Sequence, residues 1–471
     1  MNPLVNPNIM LPFIKSYLIE RNRIERMNEG QLKRYKDKLL RRMVQYAYTV
    51  PLYRRKYKEA GVHPEDIKGI EDIYKLPFIS RQDLNKDFPD GIIPPSFNKN
   101  DGYIICTGGT TTKYCCNSGA QPVCIYTDAL SLLKGSIITF RSNKAFGFNW
   151  RKTKFAHIGN FNPFKYDKVF EKNIISPARR FFSFKNYLSM QASNKTMEII
   201  KKLENFKPDV IISYPAIFQD IAYLKRKGYG REIKPRILLV GGAMLDEYTR
   251  SYVEDAFGCK MYNTYASCES GAEIAFECKY RNWHIHDDFF HIEAIDEDMK
   301  PVAPGERGRI VLTKLWGRGT PIIRYTGMND WITLGNGEKC SCGLKSPIFG
   351  RPVEGKISFN IVLPDGQIIP PSRFLFISEI LLNLGTFKVK RFQIIQKKID
   401  EIDILLVIDR DLKEDKPSFD EMAKRIKERY LKETGPEVEI NVIEVEEIKE
   451  EISGKPAPIL ISYVNQDKCV I

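Results

Sequence analysis

The sequence lacks the features that mark secreted, membrane-spanning and fibrous proteins. It has no apolar run near the ~20 residues that a membrane-spanning helix needs, and it contains no internal repeat or low-complexity segment. Its amino-terminal residues lack a basic segment leading into an apolar one, so the sequence predicts no signal peptide. We therefore expect a cytoplasmic protein without a membrane partner.

Disulfide chemistry is also not indicated, although the chain has 10 cysteines. Without a secretion signal, cysteines are expected to stay reduced, because the cytosol keeps thiols in that state. The sequence therefore predicts free thiols rather than a disulfide framework.

The bulk composition is that of a globular protein with a basic surface. Of its 471 residues, 43% are hydrophobic and 28% are charged, which excludes a disordered chain. The length predicts two or three domains of ~100–200 residues. The net charge of +14 suits anionic ligands such as nucleotides, but the charges are spread along the chain. We therefore expect mostly a solvated basic surface and no nucleic-acid partner.

The middle of the chain predicts a parallel sheet. Short apolar strands alternate with helices there, and this order is typical of βαβ units. The predicted elements are strands at 208–214, 235–240 and 260–265 and helices at 216–228 and 245–257. Ligands bind at the carboxyl ends of such strands. Gly241, Gly242 and residues 263–269 are therefore expected at one functional rim.

The rest of the chain predicts two further regions. Alternating residues at 290–295, 308–312 and 322–325 indicate antiparallel strands. Beyond Gly350, a hairpin at 389–408, a helix at 418–433 and a strand at 438–445 indicate a small α+β domain. The predicted fold class is α/β, with a large domain at 1–350 that combines the parallel sheet and a β-rich subdomain. A hinge joins it to a small α+β domain at 351–471.

One stretch has an unusual composition for a turn. Residues 107–113 read Thr-Gly-Gly-Thr-Thr-Thr-Lys and follow an apolar run that ends at Cys106. Glycines let the backbone approach a ligand closely, and hydroxyls with free N–H groups suit phosphate oxygens. The spacing is not that of a Walker loop. It is interpreted as a phosphate-binding loop, and a threonine-rich hairpin turn is the alternative.

Further motifs follow in a fixed order: Tyr-Asn-Thr-Tyr-Ala-Ser-Cys-Glu at 262–269, Pro-Ile-Ile-Arg-Tyr-Thr-Gly at 321–327, Gly-Arg-Pro-Val-Glu at 350–354 and Ser-Gly-Lys at 453–455. Together with residues 48–53 and 392–396, this order resembles the adenylate-forming superfamily of acyl-CoA ligases. It is most similar to the phenylacetate–CoA ligase-like branch, which includes the CapK-type proteins. The resemblance covers nearly the whole chain.

The resemblance implies a role for each matching residue. It places the ATP phosphates on Thr107, Gly108, Gly109, Thr110, Thr111 and Lys113. Adenine is expected against Asn263 and the ring of Tyr265, and Mg²⁺ on the carboxylate of Glu269, a hard oxygen ligand. Gly241 and Gly242 match the backbone beside the adenylate. Thr112 and Ala266 depart from the family pattern, since both replace glycines.

The later motifs imply the ribose site and the mobile parts. The family reads Tyr-Arg-Thr-Gly-Asp, whereas here counting lands on Asn329 and the requirement for a carboxylate points to Asp330, which we favour. Arg351 matches an arginine that follows the linker glycine, and Glu354 matches the hinge acid. Lys455 matches the catalytic lysine that bridges the carboxylate and the α-phosphate.

A separate cluster predicts a metal site. Cys278 precedes His284 by six positions, and Cys340 and Cys342 are two apart. Three thiolates and one imidazole suit tetrahedral zinc, and four protein ligands leave no open position, so a structural ion is expected. His286 is the alternative fourth ligand.

The predicted activity is an ATP-dependent ligation of a carboxylic acid to CoA through an acyl-adenylate, releasing AMP and pyrophosphate. The implied cofactors are ATP, Mg²⁺, CoA and structural Zn²⁺. Two alternatives stay open: transfer of AMP or of the acyl group to a non-CoA acceptor, and a non-catalytic nucleotide-binding role. The acid and the oligomeric state cannot be derived from the sequence.

Overall fold

The computed structural model describes residues 3–108, 122–149, 152–181, 183–448 and 457–464. The helices are α1 (Pro7–Glu20), α2 (Arg23–Arg26), α3 (Glu29–Tyr48), α4 (Pro51–Glu59), α5 (Arg81–Asp87), α6 (Ala129–Ala145), α7 (Tyr166–Phe170), α8 (Ser176–Ala178), α9 (Thr196–Phe206), α10 (Pro215–Arg226), α11 (Glu247–Phe257), α12 (Phe376–Asn383) and α13 (Phe419–Thr434).

The strands alternate with these helices only in the middle of the chain. They are β1 (Gly102–Cys106), β2 (Cys124–Asp128), β3 (Phe155–Gly159), β4 (Tyr187–Gln191), β5 (Val210–Ser213), β6 (Ile237–Gly241), β7 (Lys260–Ala266), β8 (Glu273–Glu277), β9 (Trp283–Ile285), β10 (Phe290–Ile295), β11 (Arg307–Lys314), β12 (Trp331–Thr333), β13 (Ile348–Phe349), β14 (Ile361–Val362), β15 (Ile368–Ile369), β16 (Val389–Lys398), β17 (Glu401–Ile408), β18 (Glu439–Glu444) and β19 (Leu460–Ser462).

An eight-stranded sheet forms the centre of the fold. Its strand order is β13-β9-β8-β7-β6-β5-β3-β4. The five strands from β4 to β7 pair in parallel, and β8, β9 and β13 continue the sheet antiparallel. The parallel strands are short and largely buried because helices cover their faces. The predicted α/β fold with a parallel βαβ sheet is confirmed.

Local capping signals agree with the helix boundaries. Oγ of Ser80 accepts from the Asp83 N–H, and the Ser80 N–H donates to the Asp83 carboxylate, so a capping box begins α5. Gly258 ends α11 with φ at +67°, a left-handed conformation that glycine adopts without a Cβ penalty.

One predicted strand does not form. Strands β10, β11 and β12 make the expected antiparallel sheet, but residues 322–325 form only isolated bridges through Tyr325 to Leu312 and Ile79. The backbone of Arg324 has φ at +46°, which interrupts an extended run. Its guanidinium instead binds the Glu293 carboxylate at 2.9 Å. The prediction of a strand over 322–325 is therefore wrong.

The carboxy-terminal region is the expected α+β unit. The antiparallel pair β16–β17 is flanked by β18 and β19, which pair in parallel with it. Its apolar core is continuous with that of the central sheet. Across this seam Tyr248 donates to the carbonyl of Val389 at 2.7 Å, and Ser378 donates to Asp246 at 2.8 Å. The exact boundary between the two regions stays a prediction.

The structure tests the predictions about cysteines and about membrane-spanning helices. Cys106 and Cys124, which face each other across β1 and β2, form a disulfide, so the prediction of free thiols throughout is wrong for this pair. Among the described residues, no helix combines the length and apolar character needed to cross a bilayer.

Candidate functional site

A cleft of about 760 Å³ lies at the carboxyl ends of β6 and β7. Residues that directly follow these two strands form one wall, including Gly242 and Glu269. Segments that are distant from these strands in the sequence form the other walls. The cleft therefore lies at the rim that the strand order predicts for a ligand.

A tyrosine, a carboxylate and a lysine meet on one side of the cleft. The hydroxyl of Tyr265 and the ammonium of Lys356 each donate to Oδ2 of Asp330 at 2.7 Å. Burial, and then the charge of Asp330, raises the pKa of Tyr265 well above its usual range, so its hydroxyl stays a donor. Asp330 is therefore a buried, oriented carboxylate. Asn329 also borders the cleft, with φ at +56°, and the ribose ligand stays a prediction.

A second polar chain surrounds Glu269. This carboxylate is 3% exposed, and its Oε1 accepts a hydrogen bond from the Tyr325 hydroxyl at 2.9 Å. Arg81, at the start of α5, lies against the same hydroxyl and also lines the cleft. Burial opposes the charge of Arg81, but Tyr325 and Glu269 outweigh it and raise the pKa of the guanidinium. A cation thus faces the cleft beside an acidic ligand.

The paired glycines keep backbone exposed at the rim. Gly242 has φ at +74°, and a Cβ there would lie 2.8 Å from Cε1 of Tyr214. A Cβ on Gly241 would lie 2.7 Å from Oγ1 of Thr264. Only glycine fits both positions, so a ligand in the cleft can approach the main chain closely. Asn263, predicted to contact adenine, is largely buried and lines the same cleft.

The threonine-rich loop begins at this cleft. The Thr107 N–H donates to the Val123 carbonyl at 2.9 Å, and the Val123 N–H donates to Oγ1 of Thr107 at 3.0 Å. Lys165 donates to the Thr107 carbonyl at 2.6 Å. These three hydrogen bonds hold Thr107 in place, and Thr107 and Gly108 both line the cleft. The other predicted phosphate contacts lie outside the described residues: Gly109, Thr110, Thr111 and Lys113, together with Thr112.

The residues predicted for the hinge and the mobile domain are Lys455, Arg351 and Glu354. Lys455 lies outside the described residues, but Ile448 and residues 457–460 on either side of it border the cleft. Arg351 is exposed and is not among the residues that line the cleft. Glu354 is buried and lies 3.2 Å from Nε of Arg373. Its role as a hinge stays a prediction.

The four predicted metal ligands form one cluster. The ligand atoms of Cys278, His284, Cys340 and Cys342 all lie within 4.8 Å of one another. The Sγ atoms of Cys278 and Cys340 are 3.6 Å apart, and Nε2 of His284 is 3.1 Å from Sγ of Cys342. The antiparallel pairing of β8 and β9 brings Cys278 near His284, and the pairing of β13 with β9 brings the preceding Cys340–Cys342 segment to the same edge of the central sheet.

The histidine of this cluster is in the state that metal binding requires. Burial lowers the pKa of His284 to about 4, so its imidazole is neutral near pH 7. Nδ1 lies 2.9 Å from Oγ of Ser346, which orients the ring and leaves Nε2 facing the thiols. His286 instead faces Glu273 at 3.2 Å. The structure thus selects His284 over His286 as the cluster's imidazole.

Several known proteins are similar to this chain in sequence or in fold. The CapK C-terminal domain family matches residues 362–461. Phenylacetate-coenzyme A ligase of Thermus thermophilus is 25% identical over 392 residues, covering 81% of each chain. Protein CapK of Staphylococcus aureus is 21% identical over 434 residues, covering 87% of this chain and 88% of CapK. A crystal structure of 2-hydroxyisobutyryl-CoA ligase with R3-HIB-AMP superposes with a TM-score of 0.76 at 17% identity, covering 95% and 92%.

The chain is therefore similar, over most of its length, to the adenylate-forming enzymes of the phenylacetate–CoA ligase-like branch. Three residues at or beside the cleft were not predicted as functional. Arg81 and Lys356 line it, and Tyr325 is fully buried and donates to the cleft residue Glu269. Arg81 follows the serine that caps α5, but this position in the sequence does not indicate where its side chain points. Tyr325 and Lys356 act through carboxylates that are distant in the sequence, so no local pattern could have identified them.

Proposed function

We propose that this enzyme joins a carboxylic acid to CoA in two steps. The acid carboxylate attacks the α-phosphate of ATP to give an acyl-adenylate and pyrophosphate, and the CoA thiol then displaces AMP to give the thioester. The observation that carries this proposal is the convergence of Glu269, Asp330, Tyr265 and both flanks of Lys455 on one cleft. The relatives named as CoA ligases support the same activity.

Charge repulsion is the barrier that this site must lower. A carboxylate approaches a polyphosphate only if cations offset the repulsion and stabilise the charge that develops in the transition state. Arg81 supplies one cation from the amino-terminal region. Lys113 and Lys455 supply two more in the proposed mechanism. Tyr265 and Lys356 hold Asp330 in place as a ligand for the ribose hydroxyls.

The residues around Glu269 fit a Mg²⁺ ion. The carboxylate is buried, borders the cleft and has one oxygen held by Tyr325, so it presents a hard oxygen ligand in a defined orientation. Mg²⁺ would neutralise phosphate charge when bound. Tyr325 keeps the carboxylate from turning away, and Arg81 limits the excess negative charge beside it.

The second step requires access for a thiol. In the proposed mechanism the small domain rotates about Glu354, which withdraws Lys455 and admits CoA. The contacts that Tyr248 and Ser378 make across the seam would have to break during this rotation. The Glu354–Arg373 pair lies at the start of this segment.

A panel of carboxylic acids, scored by pyrophosphate release with and without CoA, tests the function. We expect at least one acid to give CoA-dependent turnover and a thioester product. Release that yields a stable product without CoA would favour transfer to another acceptor. Nucleotide binding with no pyrophosphate release for any acid would favour a non-catalytic role.

We also propose that the Cys₃His cluster holds a structural zinc ion. The observation in its favour is the closed set of four ligand atoms around a neutral imidazole. With four protein ligands no coordination position remains for substrate, so the ion would brace the edge of the sheet. Metal content of protein purified without chelator tests it.

A further inference from the structure

The amino-terminal helix α1 exposes apolar side chains along one face. Leu11, Ile14 and Leu18 follow the spacing of three and four residues that places side chains on one side of a helix. They are 67%, 46% and 57% exposed, and the adjacent Ile19 is 49% exposed. The opposite face of α1 packs against α6. A helix that is apolar on both faces is normally buried on both, and this one is not.

This exposure is concentrated in one place. Among the described residues, seven aliphatic side chains are strongly exposed: Val5, Leu11, Ile14, Leu18, Ile19, Ile399 and Ile443. Five of the seven lie within residues 5–19. Scattered apolar residues on a surface need no explanation, but a contiguous row marks a surface that contacts something else.

The charge within this row is basic. Between Val5 and Ile19 the only charged residue is Lys15, which is exposed. The turn at residues 3–5 packs against residues 171–178, and the exposed Arg179 and Arg180 follow directly. The nearby carboxylates are already paired.

These pairs keep negative charge away from the row. Glu20 lies 3.1 Å from Arg23, and Glu171 lies 3.3 Å from Arg179. Glu171 offsets the charge of Arg179, so Lys15 within the row and Arg180 beside it remain as basic side chains outside these two pairs.

We propose that this row, Val5 to Ile19, docks the protein on an anionic bilayer surface with α1 lying parallel to that surface. Apolar side chains that enter the headgroup region, with basic side chains at the edge, are the features of such interfacial helices. At 14 residues α1 is about 21 Å long, too short to span a bilayer.

A second copy of the chain is a poorer occupant. The row contains no carboxylate, so a two-fold contact through it would bury Lys15 without an opposite charge from the row of the other copy. The absence of a spanning segment led us to predict no membrane partner, but that criterion does not test surface docking.

Cosedimentation of the full chain with lipid vesicles tests the proposal. We expect binding to vesicles of phosphatidylcholine mixed with phosphatidylglycerol, little binding to phosphatidylcholine alone, and release at high salt. The double variant Leu11→Gln/Leu18→Gln should lower the bound fraction about tenfold. The matched variant Ile399→Gln/Ile443→Gln, exposed but in the carboxy-terminal region, should bind like the wild type.

Several outcomes would overturn the proposal. One is no binding to the anionic vesicles, and another is binding that the Leu11/Leu18 substitutions leave unchanged. A dimer in sedimentation velocity that the same substitutions dissociate would assign the row to a second copy. Pyrophosphate release by the variant in solution should match the wild type, which separates this proposal from the proposed activity.

Discussion

The cleft and the Cys₃His cluster both contain buried polar side chains, but they are built in opposite ways. The cluster takes its ligands from two short motifs and points all four of them at one another. The cleft takes residues from α5, from the rim of the central sheet and from the carboxy-terminal region, and it stays open to a ligand. A closed ligand set suits a permanent structural ion, whereas an open cleft suits substrates that enter and leave.

The two sites also differ in how their polar groups are restrained. In the cluster, the hydroxyl of Ser346 orients the imidazole of His284. In the cleft, Tyr265 and Lys356 restrain Asp330, and Tyr325 restrains Glu269. Loss of a cluster ligand should therefore reduce stability, whereas loss of a cleft residue should reduce activity in a folded protein.

The largest expected effect is that of Cys342→Ser. Loss of one zinc ligand should release the metal and cost on the order of 5 kcal/mol of folding free energy, because binding energy of a structural ion is folding energy. Metal analysis should show about one zinc per wild-type chain and little in the variant. Thermal unfolding should shift to lower temperature.

The matched control for this prediction is Cys259→Ser. Cys259 is also a partly buried free thiol, but it lies outside the cluster. It should keep the metal and nearly the wild-type unfolding temperature. Wild-type protein without zinc, when purified in the absence of chelator, would contradict the zinc assignment.

The second-largest expected effect is that of Lys455→Ala on the proposed adenylation step. Removing a cation that acts on the transition state should slow ATP–pyrophosphate exchange about 100- to 1,000-fold. Circular dichroism and unfolding temperature should stay unchanged. Lys424→Ala, an exposed lysine on α13, is the control. Unchanged exchange in Lys455→Ala would refute the assignment of this lysine.

Glu269→Gln should slow exchange about 100-fold, because the variant loses the charge proposed to hold Mg²⁺. A higher Mg²⁺ concentration should restore part of the rate. Glu269→Asp keeps the charge on a shorter side chain and should be less impaired. An activity loss that does not respond to Mg²⁺ would show that Glu269 acts otherwise, for example through Tyr325 alone.

The smallest expected effect is that of Tyr265→Phe. The variant keeps the ring but loses the hydrogen bond to Asp330, so the KM for ATP should rise about fivefold, equivalent to ~1 kcal/mol. The kcat should change less. Tyr229→Phe, at an exposed position, should have no effect. An unchanged KM in Tyr265→Phe would show that Lys356 alone is enough to orient Asp330.

The sequence patterns predicted local structure well where the signal was local. The alternation of apolar strands and helices at 208–265 predicted the parallel strands and the helix that ends just before Gly258. The strand predicted at 322–325 failed because Arg324 binds Glu293 with its backbone in the left-handed region. Strand propensity describes the preference of an isolated segment, and a contact with a residue that is distant in the sequence can override this preference.

By itself, the sequence determined which motifs the chain carries, their order, and the three cysteines of the metal cluster, because these are read directly from residue types and short spacings. Only the tertiary structure decided that Arg81 faces Glu269, that Lys356 shares Asp330 with Tyr265, and that Arg351 lies outside the cleft. It also decided that His284 rather than His286 faces the thiols. The physical reason is that the direction of a side chain depends on the packing of segments that are far apart in the chain.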